Sequence, residues 1–205
     1  MLELEQLACV RGATLLFRGV SAHLARGQLL RVTGANGAGK TSLLRMLCGL
    51  TAPSAGQIRW QEQTLARVRE PFARDLLYVG HAAALKDDLS ALENLQAAET
   101  LAGRPVTVEV ARVALAQAGL QERATLPARR LSQGQRKRVH LARLALPTAP
   151  LLWILDEPFN ALDAEGNAWL QQRIATHIRQ GGMTVLTSHQ PLTLDAGHAQ
   201  QVLAL

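Results

Sequence analysis

Aromatic residues and cysteines are scarce in this chain of 205 residues. Only 3% of the residues are Phe, Trp or Tyr, and the two cysteines, Cys9 and Cys48, stand far apart. Because no Cys-x-x-Cys pair occurs, the sequence excludes a zinc knuckle and a covalently attached haem. Both cysteines lie in apolar stretches, so we expect them to be buried and reduced, as in cytosol.

Long apolar runs are also missing. The chain contains no stretch of about 20 apolar residues that could cross a membrane as a helix. The richest stretch, residues 141–155, is interrupted by Arg143, Pro147 and Pro150. The opening Met-Leu-Glu-Leu-Glu lacks the basic region and apolar core of a signal peptide. We therefore expect neither a signal peptide nor a membrane-spanning helix.

Positive charge is in excess, with a formal net charge of +6 and an isoelectric point of about 10.3. Such a balance suits anionic partners, namely nucleotides, nucleic acid or an anionic membrane surface. The densest basic stretch contains Arg129, Arg130, Arg136, Lys137 and Arg138. No aromatic side chains alternate with these cations, which favours a helix with a solvated basic face over a base-stacking site. We expect no nucleic-acid partner.

Residues 34–41, Gly-Ala-Asn-Gly-Ala-Gly-Lys-Thr, have the spacing G-x-x-x-x-G-K-[ST] of a phosphate-binding P-loop. Glycines let such a loop turn its backbone N–H groups toward phosphate oxygens. Lys40 would reach the β- and γ-phosphates, and the Thr41 hydroxyl would ligate Mg²⁺. A predicted strand enters the loop and a predicted helix leaves it, with the positive end of its dipole facing the phosphates. The candidate nucleotide ligands here are Gly34, Ala35, Asn36, Gly37, Ala38, Gly39, Lys40, Thr41 and Ser42.

Two carboxylates end an apolar run, because Asp156 and Glu157 directly follow residues 151–155. A buried strand that delivers an aspartate at its carboxyl end fits the Mg²⁺-associated Walker B motif. Glu157 could then orient and polarise the water that attacks the γ-phosphate. Paired acids at a strand end are common without any such role, but the P-loop upstream favours the catalytic interpretation.

A second anion site is indicated by Leu-Ser-Gln-Gly-Gln at residues 131–135. Ser132 and the glycine N–H offer hydrogen-bond donors at the start of a predicted helix. The same pattern is typical of an ordinary N-cap with Ser132 as the capping residue. The candidate ligands are Ser132, Gln133, Gly134 and Gln135.

The order of predicted elements indicates the fold class. We predict strands at 2–10, 14–24, 29–33, 57–60, 76–79, 151–155, 184–187 and 201–205, and helices at 41–50, 131–146 and 164–179, with an Ala- and Leu-rich helical stretch at 85–120. Alternating strands and helices around a P-loop predict an α/β P-loop NTPase with a parallel core sheet and helices on both faces. A small antiparallel β subdomain and a helical subdomain, about 82–146, complete a single domain over residues 1–205.

Together with Ala161-Leu162-Asp163 and Ser188-His189, these motifs stand in the order of ATP-binding cassette (ABC) ATPases, which the whole chain resembles. The resemblance implies a head-to-tail dimer of ATPase subunits. Each ATP would lie between the P-loop of one copy and residues 132–135 of the other. Asp163 would lie in the D-loop joining the two sites, and His189 would contact the γ-phosphate. The implied catalytic residues are Glu157, His189 and Lys40, with ATP and Mg²⁺ as cofactors.

Two positions depart from the pattern of that family. ABC proteins usually stack an aromatic residue on adenine, where this chain has Arg11 and Gly12. Arg11 could stack its guanidinium on the base, or it could be a solvated turn residue. The family's glutamine after strand 76–79 is replaced by His81, which could contact the Mg²⁺ shell with a pH-dependent charge. A haem-ligand role for His81 is the weaker alternative, because a lone histidine is usually structural.

Four short strings narrow the resemblance: YVGH at 78–81, SALENL at 90–95, WILDEPF at 153–159 and TSHQPL at 187–192. Together they resemble the haem-exporter ATPase subunits of cytochrome c biogenesis. This implies a peripheral ATPase on the cytoplasmic face of the bacterial inner membrane, bound to integral membrane subunits through residues 81–95. It would power haem export or the release of a haem-loaded chaperone. The alternatives are the ATPase of another small-solute ABC transporter and a non-transport assembly ATPase of the iron–sulfur scaffold type.

Overall fold

The computed structural model describes residues 1–147, 150–188 and 200–205, which form two compact units. The first unit contains Met1–Tyr78, Pro150–Glu157 and Ala175–Leu205, and the second contains Val79–Ala149 and Pro158–Ile174. No helix within these ranges is long and apolar enough to cross a membrane. The predicted organisation, one domain with an inserted helical subdomain at about 82–146, stays a prediction.

The regular elements follow closely from the sequence pattern. In chain order they are β1 (Leu2–Arg11), β2 (Thr14–Leu24), β3 (Leu29–Thr33), α1 (Lys40–Leu47), β4 (Ala55–Trp60), β5 (Gln63–Thr64), α2 (Arg69–Asp75), β6 (Leu76–Val79), α3 (Ala91–Leu101), α4 (Val108–Gln117), α5 (Gln133–Leu141), β7 (Leu152–Leu155), α6 (Ala164–Arg179), β8 (Met183–Thr187) and β9 (Gln200–Ala204). Short 3₁₀ turns occur at Gln121–Arg123, Ala128–Arg130 and Ala142–Ala145.

Two sheets organise the first unit. An antiparallel sheet has the strand order β2-β1-β4-β5, and a five-stranded sheet has the order β6-β7-β8-β3-β9. In the second sheet β3 runs parallel to β8 and β9, and β7 runs parallel to β8. All residues of β7 and β8 are buried, as expected for the centre of a parallel sheet covered on both faces. The predicted α/β P-loop fold class is confirmed.

The parallel register decides which side chains can meet. The carboxyl ends of β3, β7 and β8 lie at one edge of the sheet, since Val32 pairs with Thr187 and Leu155 pairs with Leu186. The chain leaves these strands into the P-loop, into Asp156 and into Ser188, respectively. Ligands of parallel α/β sheets bind at this edge. The topology therefore gathers three of the predicted motifs in one place.

Helix α1 leaves the P-loop and packs its apolar face into the core of the first unit. Leu43, Leu44 and Leu47 are fully buried there. We predicted that this helix extends to residue 50, but Leu50 is 62% exposed. That prediction is wrong because the helix ends at Leu47 and Gly49 turns the chain with φ 70°.

The second unit is a helical bundle with its own core. Helices α3, α4 and α5 bury Leu95, Leu115 and Val139 in it. The helix starts are defined by the sequence, because Ser90, Thr107 and Ser132 each accept a hydrogen bond from the third residue of the following helix. A surface of small residues on α4, Ala111 and Ala114, lets the helices approach closely.

The basic helix α5 departs from its predicted solvated face. Lys137 and Arg138 retain only 6% and 9% of their exposure. Arg138 donates one hydrogen bond to the Ala118 carbonyl, at 3.1 Å, and another to the Asp163 carboxylate. Two of the five cations in the basic stretch thus serve the interior of the second unit, and the prediction of a fully solvated basic face is wrong for them.

Partial burial of His140 on α5 predicts a pH-dependent stability. Desolvation, with the nearby charges of Arg143 and Lys137, lowers the pKa of His140 from 6.5 to about 4. Between these two values the unfolded chain binds a proton that the folded chain does not, so stability falls as the pH drops below 6.5. Between pH 7.5 and pH 5 we expect a loss of about 2 kcal/mol from this residue.

The measurement is urea unfolding at both pH values for the wild type and for His140→Leu. The leucine variant should lose less unfolding free energy on acidification, by about 2 kcal/mol. An equal loss in the two proteins would show that His140 does not contribute to the pH dependence.

Candidate functional site

The P-loop connects β3 to α1 and is shaped by its glycines. Gly34, Gly37 and Gly39 all have positive φ, and Gly39 has φ 100° immediately before the helix. A Cβ atom at Gly39 would lie 3.0 Å from the Phe17 ring. Residue 39 must therefore be glycine both for its backbone conformation and for its close approach to β2.

Lys40, the first residue of α1, points back across the loop. Its Nζ donates hydrogen bonds to the carbonyl oxygens of Gly34, at 2.8 Å, and Ala35, at 3.1 Å. These bonds hold the ammonium group above the cradle of backbone N–H groups. A phosphate oxygen in that cradle would lie within reach of the same ammonium group.

Thr41 and Asp156 come together from positions 115 residues apart in the chain. The Thr41 hydroxyl donates to Asp156 Oδ2 at 2.9 Å. The Asp156 carboxylate is 1% exposed, and its other oxygen, Oδ1, accepts from the Thr187 hydroxyl at 2.9 Å. A buried carboxylate beside a hydroxyl is a donor set that suits Mg²⁺, which prefers oxygen ligands and completes its shell with phosphates and water.

Glu157 follows Asp156 in a strained backbone conformation. Its φ is 46°, a value that residues other than glycine rarely adopt. The Glu157 N–H donates to Thr187 Oγ1 at 2.7 Å, so the strand end of β8 holds this turn in place. Backbone strain of this kind is concentrated at functional sites.

The negative charge of Asp156 affects the pKa of two neighbouring groups in the first unit, Cys48 and Tyr78. Burial raises the pKa of the Cys48 thiol, and the Asp156 carboxylate raises it further. The pKa of Tyr78 is raised by the same two causes, in the same order. Both groups therefore stay protonated at neutral pH.

Residues 131–135 begin α5 in the second unit. The Ser132 hydroxyl accepts from the Gln135 N–H at 3.2 Å, and the Gln135 side chain accepts from the Ser132 N–H at 2.9 Å. This capping box confirms the N-cap interpretation of Ser132. Ser132, Gly134 and Gln135 also line a polar cavity of about 430 Å³. Capping and anion binding are compatible, because the helix N-terminus keeps other N–H groups.

Asp163 lies in the wall of the same cavity and is fixed at the start of α6. Its carboxylate accepts from the Gly166 N–H at 2.8 Å and from the Arg138 guanidinium. The hydrogen bond from Gly166, followed by that from Arg138, lowers the pKa of Asp163. Arg138 thus connects α5 to the predicted D-loop.

Comparisons with known proteins decide the family. The sequence profile of the ABC transporter family matches residues 17–160. The cytochrome c biogenesis ATP-binding export protein CcmA of Aromatoleum aromaticum is 53% identical over 93% of this chain and 89% of its own length. The protein of the same name from Dechloromonas aromatica is 48% identical over 98% of both chains.

The chain belongs to the ABC transporter family, in the group of the CcmA export proteins.

As a member of the ABC family, the protein binds and hydrolyses ATP. The solved ATP-binding subunit of an ABC transporter superposes with a TM-score of 0.82 at 26% identity, over 98% of this chain and 85% of the other. A dimeric ATP-binding cassette bound to ADP and Pi superposes with a TM-score of 0.81 at 22% identity, over 93% and 88% of the two chains. The resemblance drawn from the sequence motifs is confirmed.

The predicted site residues of this ABC ATPase divide between the two units. The first unit holds residues 34–42, Asp156 and Glu157, and the second holds residues 132–135, Asp163 and His81. In the first unit Thr41 contacts Asp156, and in the second unit Asp163 lines one cavity with Ser132, Gly134 and Gln135, whereas His81 lines another with Gln133. His189, the third candidate catalytic residue, lies outside the described residues.

His81 faces a cavity of about 340 Å³ in the second unit, together with Gln133, Arg136 and Lys137. These neighbours are polar or cationic and do not resemble a metal-ligand set. In the part of the chain that the structure describes, no cluster of three His, Cys, Asp or Glu side chains could hold a metal ion. A contact from His81 to the Mg²⁺ shell stays a prediction.

Arg11 ends β1 at the tip of the β1–β2 hairpin, where it pairs with Thr14 and is exposed. The first aromatic residue of the chain, Phe17, is buried against Gly39 and offers no free ring face to a base. The exposed position is compatible with both sequence-based alternatives for Arg11, base stacking and a solvated turn.

Sequence reasoning missed Thr187 and Arg138 as parts of the site. In the sequence, Thr187 stands out only as part of the string TSHQPL, and Arg138 only as part of the basic stretch. A hydroxyl residue at the carboxyl end of a buried strand, beside the strand that delivers Asp156, is the signal that could have identified Thr187. No local signal distinguishes Arg138 from the neighbouring cations.

Gly134 supports a further prediction. A Cβ atom at this position would lie 2.7 Å from the Ala161 carbonyl oxygen, so Gly134→Ala must displace residues 132–135 from Ala161. We expect ATPase activity to fall about tenfold or more, because a misplacement near 1 Å can cost a factor of this size or greater. ATP binding at the P-loop, measured with a fluorescent nucleotide, should be unchanged. Wild-type turnover in this variant would contradict a constrained role for Gly134.

Proposed function

We propose that this ABC ATPase supplies the energy of ATP hydrolysis to a membrane complex of cytochrome c biogenesis. The observation that carries the proposal is the Thr41–Asp156 contact of 2.9 Å, which joins the P-loop to the Walker B carboxylate in a chain about half identical to CcmA proteins. The names of those relatives describe ATP-binding export proteins of cytochrome c biogenesis.

The P-loop binds the triphosphate through its backbone N–H groups, and Lys40 exchanges its bonds to Gly34 and Ala35 for phosphate oxygens. Thr41 and Asp156 are the residues that would hold Mg²⁺. The metal, when bound, neutralises charge on the phosphate oxygens. Glu157 orients the attacking water and accepts its proton, as a carboxylate near the γ-phosphate can. His189 contacts the γ-phosphate from the segment that follows β8.

The second half of each site comes from another copy of the chain. Ser132, Gln133, Gly134 and Gln135 present the N-terminus of α5 to the nucleotide held by the partner's P-loop, and Asp163 lies beside them. Closure of the dimer on ATP removes water from the phosphates, and hydrolysis releases the dimer. The net positive charge of +6 favours this association around a polyanionic ligand.

Integral membrane subunits bind the dimer through residues 81–95, on the cytoplasmic face of the bacterial inner membrane. Residues 81–83, at the start of this segment, line part of the cavity beside His81. Residues 81–95 transmit the conformational change of each cycle of closure and release to the membrane subunits. This change drives haem export, or the release of a haem-loaded chaperone, toward apocytochrome c. We expect no nucleic-acid partner, and the burial of Lys137 and Arg138 leaves fewer exposed cations in the basic stretch for one.

The test is co-purification of the Glu157→Gln variant with ATP from detergent-solubilised membranes of the native host. Membrane subunits together with a haem-handling protein are expected among the captured proteins, and the Lys40→Ala variant is the control. Recovery of a permease of another class would support a role in transport but contradict the role in haem export. Recovery of soluble assembly factors alone would contradict a role in transport.

A further inference from the structure

Thr187, the last residue of β8, lies at the centre of the hydrolytic site in the first unit. Its side chain is fully buried, at 0% exposure. The Thr187 hydroxyl donates to Asp156 Oδ1 at 2.9 Å and accepts from the Glu157 N–H at 2.7 Å. One hydroxyl therefore contacts both residues that carry the adjacent carboxylates.

These bonds form a continuous chain through the site. It runs from the Glu157 N–H to the Thr187 hydroxyl, and from that hydroxyl to one oxygen of Asp156. The other oxygen of Asp156 accepts from Thr41. A hydroxyl has one hydrogen and two lone pairs, so Thr187 uses its hydrogen on the carboxylate and a lone pair on the backbone N–H.

The consequences for the two carboxylates differ. For Asp156, two hydroxyl donors fix the plane of the carboxylate, and hydrogen-bond partners of this kind orient metal ligands. For Glu157, the bond from its N–H holds the backbone at φ 46°, a conformation that otherwise relaxes. The direction of the Glu157 side chain depends on that backbone conformation.

We propose that Thr187 is a positioning residue for ATP hydrolysis, whose hydroxyl fixes Asp156 toward the metal and Glu157 toward the attacking water. The proposal rests on the proposed roles of those two carboxylates. Thr187 itself touches neither phosphate nor water in this role, so its loss should affect kcat and metal affinity more than nucleotide affinity.

Two comparisons isolate the effect of the Thr187 hydroxyl: the wild type with Thr187→Val, and Thr187→Ser with Thr187→Ala. Thr187→Val removes the hydroxyl at nearly constant volume, whereas Thr187→Ser keeps it without the methyl group. Thr187→Ala differs from the serine variant only by the hydroxyl. Thr184→Val is the matched control, because Thr184 lies on the same strand, is fully buried, and its hydroxyl has no hydrogen-bond partner within the described part of the chain.

We expect Thr187→Val and Thr187→Ala to lower kcat about 10- to 100-fold, the range typical of groups that orient metal ligands. The KM for ATP should stay within about threefold, since the P-loop contacts are intact. Thr187→Ser and Thr184→Val should keep kcat within about threefold of the wild type. Comparable kcat values in the valine and serine variants would overturn the proposal.

Metal binding gives a readout that does not depend on turnover. Mn²⁺ replaces Mg²⁺ as a paramagnetic probe, and its affinity for the ATP-bound protein is measured by electron paramagnetic resonance. Thr187→Val should weaken Mn²⁺ binding about tenfold or more, and Thr184→Val should not. Unchanged Mn²⁺ affinity would exclude the part of the proposal that concerns Asp156.

Comparing Glu157→Gln with Thr187→Val tests the positioning role of Thr187 separately from the catalytic role of Glu157. If Glu157→Gln turns over like the wild type, the assigned role of Glu157 fails, whatever Thr187 does. If Glu157→Gln is inactive and Thr187→Val is fully active, only the positioning role fails. A valine variant that does not fold leaves the serine–alanine pair to decide, with thermal unfolding as the check on both.

Discussion

Lys40→Ala is expected to abolish measurable ATP hydrolysis, a loss of at least about 100-fold. Removing one preorganised charge donor from a phosphoryl-transfer site typically costs a factor of this order. In this chain the effect has two sources. The variant loses the cation that neutralises the γ-phosphate, and it loses the two bonds from Nζ to Gly34 and Ala35 that keep the loop compact.

These two sources can be separated by measuring binding alongside turnover. If the cation acts on the phosphates, the affinity for ATP should fall more than the affinity for AMP, which lacks the β- and γ-phosphates. If Lys40 only shapes the loop, the two affinities should fall equally. Lys86→Ala controls for the loss of a positive charge, because Lys86 is exposed and lies in the second unit.

Turnover near that of the wild type in Lys40→Ala would be incompatible with the P-loop as the phosphate site. The geometry makes this outcome unexpected, since the Lys40 Nζ lies over the loop, within hydrogen-bond distance of the Gly34 and Ala35 carbonyl oxygens. A stable thermal transition in the variant would show that the loss is local to the site.

The helices and strands of this fold could be predicted from the sequence where apolar residues recur in a long, regular pattern. Strands 29–33 and 76–79 and helix 164–179 have the predicted bounds, because each is an uninterrupted pattern with clear end signals. Helix α2, Arg69–Asp75, and the short β5 were missed, because seven and two residues give too little periodicity to detect. The helix predicted over 131–146 tightens into a 3₁₀ turn after Leu141.

Candidate site residues could be predicted where they belong to a short motif whose residue types and spacing indicate the chemistry. The P-loop and the Asp156-Glu157 pair are local strings, and the structure places Thr41 on Asp156. Thr187 and Arg138 act through contacts with residues 30 and 25 positions away, and no local pattern records such contacts. The burial of Lys137 and Arg138 was missed for the same reason, since a charged residue is buried only where a distant partner satisfies it.

Glu157→Gln should bind ATP like the wild type and hydrolyse it at least about 100-fold more slowly, because general-base catalysis contributes factors of 10² to 10⁴. Glutamine keeps the size of the side chain and the backbone N–H that donates to Thr187, so the strained turn at residue 157 should persist. What is lost is the carboxylate that accepts the proton of the attacking water.

The same substitution should reveal the dimer. If two copies close on ATP and hydrolysis opens them, a chain that binds without hydrolysing accumulates in the closed form. Size-exclusion chromatography of Glu157→Gln should then give a dimer with ATP and a monomer with ADP. The wild type should elute as a monomer after its ATP is consumed.

Asp156→Asn, compared with Glu157→Gln, distinguishes the metal-binding role of Asp156 from the catalytic role of Glu157. Both oxygens of Asp156 accept hydrogen bonds from hydroxyls, whereas asparagine has an NH2 group in place of one oxygen, so the hydroxyl that faces this group must rotate to accept a hydrogen bond. We expect this variant to lose metal-dependent ATP binding and hence the ATP-induced dimer, which Glu157→Gln retains. A dimer in both variants would remove Asp156 from the metal site, whereas wild-type turnover in Glu157→Gln would remove Glu157 from the chemistry and leave the Asp156 assignment intact.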